Sequence, residues 1–271
     1  MHFSHRSGRF ELSSKTHIMG IINITPDSFF EGSRITSDLA LKAAEELINE
    51  GADLIDVGGE STRPGYSPVS AEEEAERIIP FIEKYKGYFG TPLSIDTMKS
   101  YVARLALESG ADIINDVFGG LYDASVFSVV AEYQCGYILG HNRPGGHIAV
   151  NEIIDEIKNW ADSAVSSLEG CGFSREFICI DPGIGFSKSF TENLSVIRNF
   201  EDLKSLGLPL MAGVSRKSVI GNILSLPPHD RLEGSLAAAV YLSCNGADFI
   251  RTHDVKETVR ALKVADKITR E

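Results

Sequence analysis

Polar side chains end apolar runs at many points along the chain, and two of these points carry opposite charges. Asp181 follows the apolar run 177–180 and begins the segment Asp-Pro-Gly-Ile-Gly-Phe. Lys217 lies in the segment Ser-Arg-Lys-Ser, directly after the apolar run 209–214. Both runs have the length and composition of buried strands. The sequence therefore predicts a carboxylate and an ammonium group at the ends of two strands.

The remaining polar residues at such points form two chemical groups. The first group suits a flat heterocycle with adjacent N–H donors and a ring carbonyl, because a carboxylate accepts two parallel bonds from a guanidine-like edge. It consists of Asp96, Asn115, Asp181 and Lys217. The second group suits a polyanion such as diphosphate, with Asn23 a candidate oxygen ligand for Mg²⁺. It consists of Asn23, Arg63, Arg251 and His253.

Eight short apolar runs, each followed by a segment with helical spacing, must position these groups. The predicted strands are 18–24, 54–57, 93–96, 113–117, 137–141, 177–181, 210–215 and 249–253. The predicted helices are 37–50, 71–85, 99–109, 124–132, 150–169, 191–206, 231–245 and 255–267. Three helix–strand junctions share Gly-Ala-Asp, at 51–53, 110–112 and 246–248, which predicts a left-handed glycine at each helix end.

Repeated strand–helix units predict an α/β fold with a parallel sheet, and eight of them favour a closed (β/α)8 TIM barrel. An open doubly wound sheet is the alternative. We expect a single domain over residues 1–271, in which residues 1–15 form an N-terminal extension. In such barrels the active site lies at the carboxyl ends of the strands, where all the candidate residues fall.

Each candidate also has an ordinary structural interpretation. Asp96 precedes a predicted helix and could cap it, Lys217 could be solvated, and His253 could pair with Asp254. The acidic residues 72–74 and 76 are interpreted as a solvated helix start that the helix dipole favours. The whole set is more specific than any one member, because every position falls on one predicted face.

Composition limits the classes of function. The net charge of −12 and the pI of about 5.1, with no basic stripe, argue against a nucleic-acid partner. None of the four cysteines forms a C-x-x-C pair, so we expect neither zinc nor disulfides. No segment has the length of a membrane span or the pattern of a signal peptide. These features predict a cytoplasmic protein without membrane partners.

Seven motifs in order resemble those of the dihydropteroate synthase family, the pterin-binding barrels of the folate pathway. The motifs are Met-Gly-Ile-Ile-Asn-Ile-Thr-Pro-Asp-Ser-Phe at 19–29, Asp-Val-Gly-Gly-Glu-Ser-Thr-Arg-Pro-Gly at 56–65, Ser-Ile-Asp-Thr at 94–97, Ile-Asn-Asp-Val at 114–117, Asp-Pro-Gly-Ile-Gly-Phe at 181–186, Ser-Arg-Lys-Ser at 215–218, and Arg-Thr-His-Asp-Val at 251–255. They span the chain from about residue 18 to its end.

The resemblance implies a transferase that condenses 6-hydroxymethyl-7,8-dihydropterin diphosphate with para-aminobenzoate, by an SN1-like loss of diphosphate. It implies that Asp96, Asn115, Asp181 and Lys217 bind the pterin. It implies that Asn23, Arg63, Arg251 and His253 bind diphosphate and Mg²⁺, with Asn23 as the metal ligand. It implies that Thr62, Pro64, Phe186, Lys217 and Ser218 form the aminobenzoate pocket. A homodimer and competition by sulfonamides are further implications.

The chain departs from the family pattern at the end of the fifth barrel strand. Gly140-His141-Asn142 stands where Met-His-Met is usual, and Phe30 replaces a small residue. We expect Gly140 to leave space beside the pterin, so that Gly140→Met would tighten pterin binding. This departure keeps open a catalytically silent pterin-binding homologue. A methyltetrahydrofolate:corrinoid methyltransferase is the other alternative, although it would need neither Thr62, Arg63 nor the segment 215–218.

Overall fold

The computed structural model describes residues 1–12, 14–24, 33–60, 68–143 and 148–269, without the side chains of 33–36. Its strands are β1 (His2–His5), β2 (Gly8–Glu11), β3 (His17–Asn23), β4 (Leu54–Gly58), β5 (Leu93–Asp96), β6 (Ile113–Asp116), β7 (Gly136–Gly140), β8 (Ile178–Asp181), β9 (Met211–Gly213) and β10 (Phe249–Thr252). Its α-helices are α1 (Ser33–Glu50), α2 (Ala71–Tyr88), α3 (Ser100–Glu108), α4 (Val126–Tyr133), α5 (Ile153–Gly170), α6 (Phe190–Arg198), α7 (Ser218–Leu224), α8 (Leu232–Cys244) and α9 (Val255–Thr269).

Eight parallel strands form one sheet in the order β8-β7-β6-β5-β4-β3-β10-β9. The two end strands meet through a parallel bridge between Ile180 and Leu210, and the amide of Ile180 donates to Pro209 at 2.8 Å. The sheet therefore closes on itself, with helices packed around it. The predicted (β/α)8 barrel is confirmed, and the open doubly wound sheet is excluded.

The hairpin of β1 and β2 covers the amino-terminal end of the barrel. Phe3 and Phe10 are buried there against Phe249, with ring centroids 5.6 and 5.3 Å apart respectively. They join an apolar layer inside the barrel to which most strands contribute one residue. One end of the barrel is thus filled with apolar side chains, which leaves the carboxyl ends of the strands as the open end.

The three Gly-Ala-Asp junctions carry a second interaction beyond the predicted glycine. Gly51, Gly110 and Gly246 have φ of 108°, 110° and 99°. The aspartate two positions after each glycine accepts a hydrogen bond of 2.9 Å from a backbone amide. The donor residue lies in the neighbouring strand or immediately before it. The pairs are Asp53 with Ile18, Asp112 with Leu93, and Asp248 with Leu210. The motif therefore ends a helix and fixes the next strand against its neighbour.

In the carboxyl-terminal half, one prediction of local structure is wrong and one short helix was not predicted. The predicted helix 191–206 ends at Arg198, and a 3-10 helix, Phe200–Leu206, follows it. A seven-residue helix, α7, begins at Ser218 immediately after the Ser-Arg-Lys-Ser segment and was not predicted. None of the helices in the described part of the chain has the length and hydropathy that crossing a bilayer requires.

Candidate active site

The site residues follow from the two-residue period of the barrel strands. Leu54, Ile113, Cys179 and Phe249 belong to the apolar layer inside the barrel. Because alternate side chains of a strand point to the same face, the residues two positions later also point inward, nearer the open end. These residues are Asp56, Asn115, Asp181 and Arg251. A polar layer thus lies directly above the apolar layer.

Arg251 lies at the centre of this polar layer between two carboxylates. Its Nε and Nη2 atoms lie 2.7 and 2.6 Å from Oδ2 of Asp56, and Nη2 lies 2.9 Å from Oδ2 of Asp96. Burial alone would lower the pKa of Arg251, but the two carboxylates raise it. Burial raises the pKa of Asp96 to about 7, although Arg251 opposes this increase. The layer therefore contains a permanent cation and a carboxylate that titrates near neutral pH.

The side-chain amide of Asn115 is fixed by Asp56 at its nitrogen, and its oxygen remains available to a ligand. Its Nδ2 donates to Asp56 at 3.1 Å, and Ser94 donates to the other oxygen of Asp56 at 2.7 Å. The Oδ1 atom of Asn115 is buried without a hydrogen-bond partner among the described residues. A buried carbonyl oxygen without a donor is costly unless a ligand satisfies it. The residue can therefore accept a hydrogen bond from a bound molecule.

Lys217 lies above the same layer. Its Nζ donates to the carbonyl oxygen of Ile184 and lies 4.4 Å from the ring centroid of Phe186, a cation–π distance. Burial lowers the pKa of Lys217 to about 8, against the attraction of Asp181 and Asp96. An ammonium group has three donors, so a ligand carbonyl or anion could accept a hydrogen bond from Lys217 in addition to Ile184.

Asp181 ends β8 and begins a turn with an unusual backbone. Its Oδ1 accepts from the amide of Gly183 at 2.8 Å, which leaves the second oxygen able to accept from a ligand. Gly183 and Gly185 have φ of 67° and 88°, a left-handed conformation that favours glycine. The amide of Gly185 donates to Asn193 at 2.6 Å. The sequence Asp-Pro-Gly-Ile-Gly-Phe thus fixes the position of the carboxylate.

His253 and the aminobenzoate candidates lie around this layer. The Nδ1 atom of His253 is 3.1 Å from the hydroxyl of Ser215, and the amide of His253 donates to that hydroxyl at 3.2 Å. Phe186 is half-buried, and Ser218 is exposed as the first residue of α7. Asn23 is the half-buried last residue of β3. Gly58 of the neighbouring strand lies between Asn23 and Asp96. A Cβ atom placed on Gly58 would be 3.9 Å from Oδ1 of Asn23 and 3.6 Å from Cβ of Asp96.

The structure brings most of the predicted residues to one end of the barrel. Those with described positions are Asn23, Asp96, Asn115, Asp181, Phe186, Lys217, Ser218, Arg251 and His253. Thr62, Arg63 and Pro64 lie outside the described residues, as does Phe30. Arg251 was grouped with the diphosphate residues, but its guanidinium lies against Asp56 and Asp96, beside the predicted heterocycle site.

The capping interpretation of Asp96 is wrong. Lys99 occupies the N-cap position of α3, and the amide of Ser100 donates to Asp123 at 2.9 Å. Asp96 instead accepts from Arg251. The interpretation of residues 72–74 as a solvated helix start is also wrong for Glu74, which is 1% exposed. Its Oε2 accepts from Lys99 at 2.6 Å, because Lys99 turns its side chain toward α2.

The expectation of free space at Gly140 is wrong as well. A Cβ at Gly140 would lie 2.6 Å from the Cα of Val117 and 2.7 Å from the carbonyl oxygen of Asp116. These are backbone atoms of the adjacent chain segment, which cannot move aside as a side chain can. Strands β6 and β7 approach too closely here for any side chain, so Gly140→Met would disrupt the barrel rather than fill a gap.

Two residues of the site were missed. Asp56, 0% exposed, accepts from Arg251, Asn115 and Ser94. A signal for it exists in the sequence, because an aspartate inside the apolar run Leu-Ile-Asp-Val must be paired when buried. Nζ of Lys188 donates to Gly183, in the turn that follows Asp181, and to His141, the residue after β7. No local pattern identifies it, since a lysine in a turn is ordinarily solvated.

Comparisons with known proteins agree with this geometry. The family model described as pterin binding enzyme matches residues 19–253. Dihydropteroate synthase of Clostridium beijerinckii is 44% identical over 97% of this chain and 98% of its own length. The Bacillus subtilis dihydropteroate synthase is 42% identical, over 93% of this chain and 88% of its own.

Solved structures give the same result. The dihydropteroate synthase of Clostridium difficile, crystallised in the presence of pteroic acid, superposes with a TM-score of 0.94 at 42% identity and covers 97% of this chain and 100% of its own. The Xanthomonas albilineans enzyme with 4-aminobenzoic acid superposes with a TM-score of 0.89 at 38% identity, covering 96% and 95%. The chain belongs to the pterin-binding enzyme family, among the dihydropteroate synthases.

Proposed function

We propose that this chain catalyses the condensation of 6-hydroxymethyl-7,8-dihydropterin diphosphate with para-aminobenzoate to 7,8-dihydropteroate and diphosphate. The observation that carries the proposal is the polar layer in which Arg251 joins Asp56 and Asp96, beneath Lys217 and beside Asn115 and Asp181. Relatives with this fold have been solved with pteroic acid, 4-aminobenzoic acid and 7,8-dihydropteroate. The layer offers the donors and acceptors that a pterin ring requires.

The pterin would bind through acceptors for its guanidine-like edge and a donor for its ring carbonyl. Asp181 and the unpartnered Oδ1 of Asn115 are the acceptors, and Lys217 is the donor. Asp96, whose position Arg251 fixes, completes the set. Because the barrel holds these groups rigidly, they do not need to reorganise when the substrate binds.

The reaction breaks the bond between the pterin methylene carbon and the diphosphate oxygen, and the electron pair leaves with diphosphate. Positive charge then develops on the methylene, where Asp96 and Asp181 would stabilise it. The aminobenzoate nitrogen forms the new C–N bond and afterwards loses a proton. We propose that Thr62, Pro64, Phe186, Lys217 and Ser218 surround the aminobenzoate. In this position the ring of Phe186 would lie beside the Lys217 ammonium.

Arg63, Arg251 and His253 would bind the departing diphosphate, together with Mg²⁺ held by Asn23. In the described ranges no group of three or more His, Cys, Asp or Glu side chains is arranged to hold a metal ion. This fits Mg²⁺ bound mainly by phosphate oxygens and water, because that ion commonly takes only one or two protein ligands. The side-chain carbonyl of Asn23, at the carboxyl end of β3, suits that role. Bound Mg²⁺ would neutralise charge on the leaving diphosphate.

The proposal extends to the cytoplasm as location, a homodimer as assembly and sulfonamides as competitors of aminobenzoate. Competition kinetics against aminobenzoate would test the last of these, and light scattering of the purified protein would test the second. Competition against the pterin diphosphate instead would place the sulfonamide at the other substrate site.

The direct test is diphosphate release with both substrates and Mg²⁺. We expect release that depends on both substrates, and a product that coelutes with 7,8-dihydropteroate. Each substrate alone, and the variant Asp181→Asn, serve as controls. Pterin binding without diphosphate release would indicate a silent pterin-binding homologue, and the proposal would be wrong.

A further inference from the structure

The turn that follows β8 carries two residues of the proposed function, so its position matters for both substrates. Asp181 begins the turn, and Phe186 ends it. Neither the strand nor α6 includes residues 182–189. Some contact outside regular secondary structure must therefore hold the turn in place.

The turn lies directly against the end of β7. A Cβ on Gly183 would come within 1.8 Å of the carbonyl oxygen of His141. The amide of His141 donates to the carbonyl of Asp181 at 2.8 Å. This close approach requires glycine, and the backbone bond at Asp181 ties the start of the turn to the end of β7.

Two side chains that follow the turn connect it to the residues after β7. The Ser187 hydroxyl donates to Oδ1 of Asn142 at 2.7 Å, and Lys188 makes several contacts. Its Nζ lies 3.0 Å from the carbonyl oxygen of Gly183, 3.2 Å from that of His141 and 2.8 Å from Nδ1 of the His141 ring. An ammonium group has three donors, and these three acceptors match them. His141, the residue after β7, supplies two of these acceptors, and Gly183 of the turn supplies one. A fourth, longer contact of 3.4 Å reaches the carbonyl oxygen of Phe186, so Lys188 joins the end of β7 to the turn at two points.

The His141 ring is suited to accept from Lys188. Burial lowers its pKa to about 3, which keeps the ring neutral, and Nε2 lies at hydrogen-bond distance, 3.1 Å, from Oε1 of Glu156. With the proton on Nε2, Nδ1 is an acceptor. Burial also lowers the pKa of Lys188 to about 7, against the charges of Asp181 and Glu156. Lys217 and Arg143 add repulsion.

We infer that Lys188 is a positioning residue for this reaction, which holds the turn of Asp181 and Phe186 against β7 so that both side chains face their substrates. It acts through the turn rather than by touching the substrates. The inference rests on the proposed function, because it assigns the turn to substrate binding. A residue that only stabilised the fold would have no effect on affinity beyond the loss of folded protein.

The test compares Lys188→Met with Lys86→Met. Lys86, like Lys188, is a partly buried lysine, and its partner is the carboxylate of Asp112 at 3.0 Å. Asp112 immediately precedes β6, so this pair lies at the end of the barrel away from the site. Calorimetry would measure affinity for the pterin diphosphate, steady-state kinetics the kcat and the KM for aminobenzoate, and thermal unfolding the Tm.

We expect Lys188→Met to weaken pterin binding at least about tenfold and to lower kcat by up to about 100-fold, because a misplacement of about 1 Å can have that effect. Lys86→Met should lower the Tm with pterin affinity unchanged. Lys188→Gln, which keeps donors but no charge, should lie between Lys188→Met and the wild type, and it decides the matter if Lys188→Met does not fold.

Wild-type affinity and kcat in both Lys188 variants would overturn the inference, whatever happens to the Tm. Equal losses of affinity in Lys86→Met would overturn it too, because the effect would then be general destabilisation. A wild-type protein that bound no pterin would instead contradict the proposed function. The two failures are therefore distinguishable.

Discussion

Two lysines, Lys99 and Lys217, both lie among carboxylates but respond to them in opposite ways. Lys99 contacts Glu60 and Glu74 directly and donates to the carbonyl of Val69 at 3.0 Å. Burial opposes its charge, but the two glutamates outweigh burial and raise the pKa of Lys99. Lys217 contacts no carboxylate among the described residues, only the Ile184 carbonyl and the Phe186 ring, and burial lowers its pKa to about 8.

The difference separates a structural charge cluster from a binding site. In the Lys99 cluster each charged side chain has an opposite charge of the protein as its partner, although Oε1 of Glu60 has no hydrogen-bond partner among the described residues. At the barrel mouth, Lys217 contacts no carboxylate and Oδ1 of Asn115 has no donor among the described residues, and a ligand could supply both an acceptor and a donor. Ionisable groups that burial perturbs without pairing them are typical of functional sites. The predictions below test this distinction, from the largest expected effect to the smallest.

Arg251→Met should remove both stability and activity, since Arg251 is the paired charge inside the site. The variant leaves Asp56 buried beside Asp96 without a cation. Breaking a buried ion pair by removing one partner typically costs about 3–5 kcal/mol. Urea denaturation measures the loss of unfolding free energy, and diphosphate release measures the activity. Wild-type stability would show that the pair with Asp56 contributes little to the fold.

Asp181→Asn should weaken pterin binding and leave the fold intact. The amide presents a donor where two acceptors are needed, and an unpaired buried polar group costs about 1–3 kcal/mol. Calorimetric titration with the pterin diphosphate measures the loss, and the Tm is the control for folding. Unchanged affinity would remove Asp181 from the site.

Gly140→Ala should destabilise the barrel without creating or filling a pterin contact. The added Cβ meets the backbone of Val117 at 2.6 Å, and overpacking of this kind typically costs about 1–3 kcal/mol. Thermal unfolding is the measurement. A variant as stable as the wild type, with tighter pterin binding, would restore the expectation of free space at Gly140.

The kcat/KM for the pterin diphosphate should have a bell-shaped dependence on pH. Asp96, with a pKa of about 7, loses its carboxylate as the pH falls below that value. Lys217, with a pKa of about 8, loses its ammonium as the pH rises above that value. The optimum should therefore lie between the two, and Asp96→Asn should remove the acidic limb from whatever activity remains. A profile that stays flat from pH 6 to 9 would contradict these assignments.

Much of the fold could be predicted because parallel barrel strands are buried on both faces and are therefore apolar runs. The polar residues that end these runs, such as Asp96 and Asp181, could be assigned to one face for the same reason. Helix α7 was missed because its seven residues carry no capping side chain and lack a long apolar period. The β1–β2 hairpin was missed because its strands are short and their composition is largely polar.

The rest of the site depends on contacts between residues distant in sequence. The contacts of Lys188 with His141 join segments that are more than forty residues apart. Glu74 could not be distinguished from its solvated neighbours, because only the packing of α2 against α3 brings Lys99 to it. The space at Gly140 depends on the approach of β6 to β7, which periodicity does not specify.

The most direct test of the distinction measures unfolding free energy and pterin affinity for Lys99→Met and Lys217→Met together. Lys99→Met should lose roughly 3–5 kcal/mol of stability, because Glu60 and Glu74 remain buried without a cation, and should keep its pterin affinity. Lys217→Met should be at least as stable as the wild type at pH 7. The lowered pKa means that the charged lysine is disfavoured in the folded state, a cost that is present below about pH 8 and disappears as the pH rises toward 10.5. Its pterin affinity should fall at least about tenfold. A Lys217→Met variant that lost stability but kept pterin affinity would contradict the account.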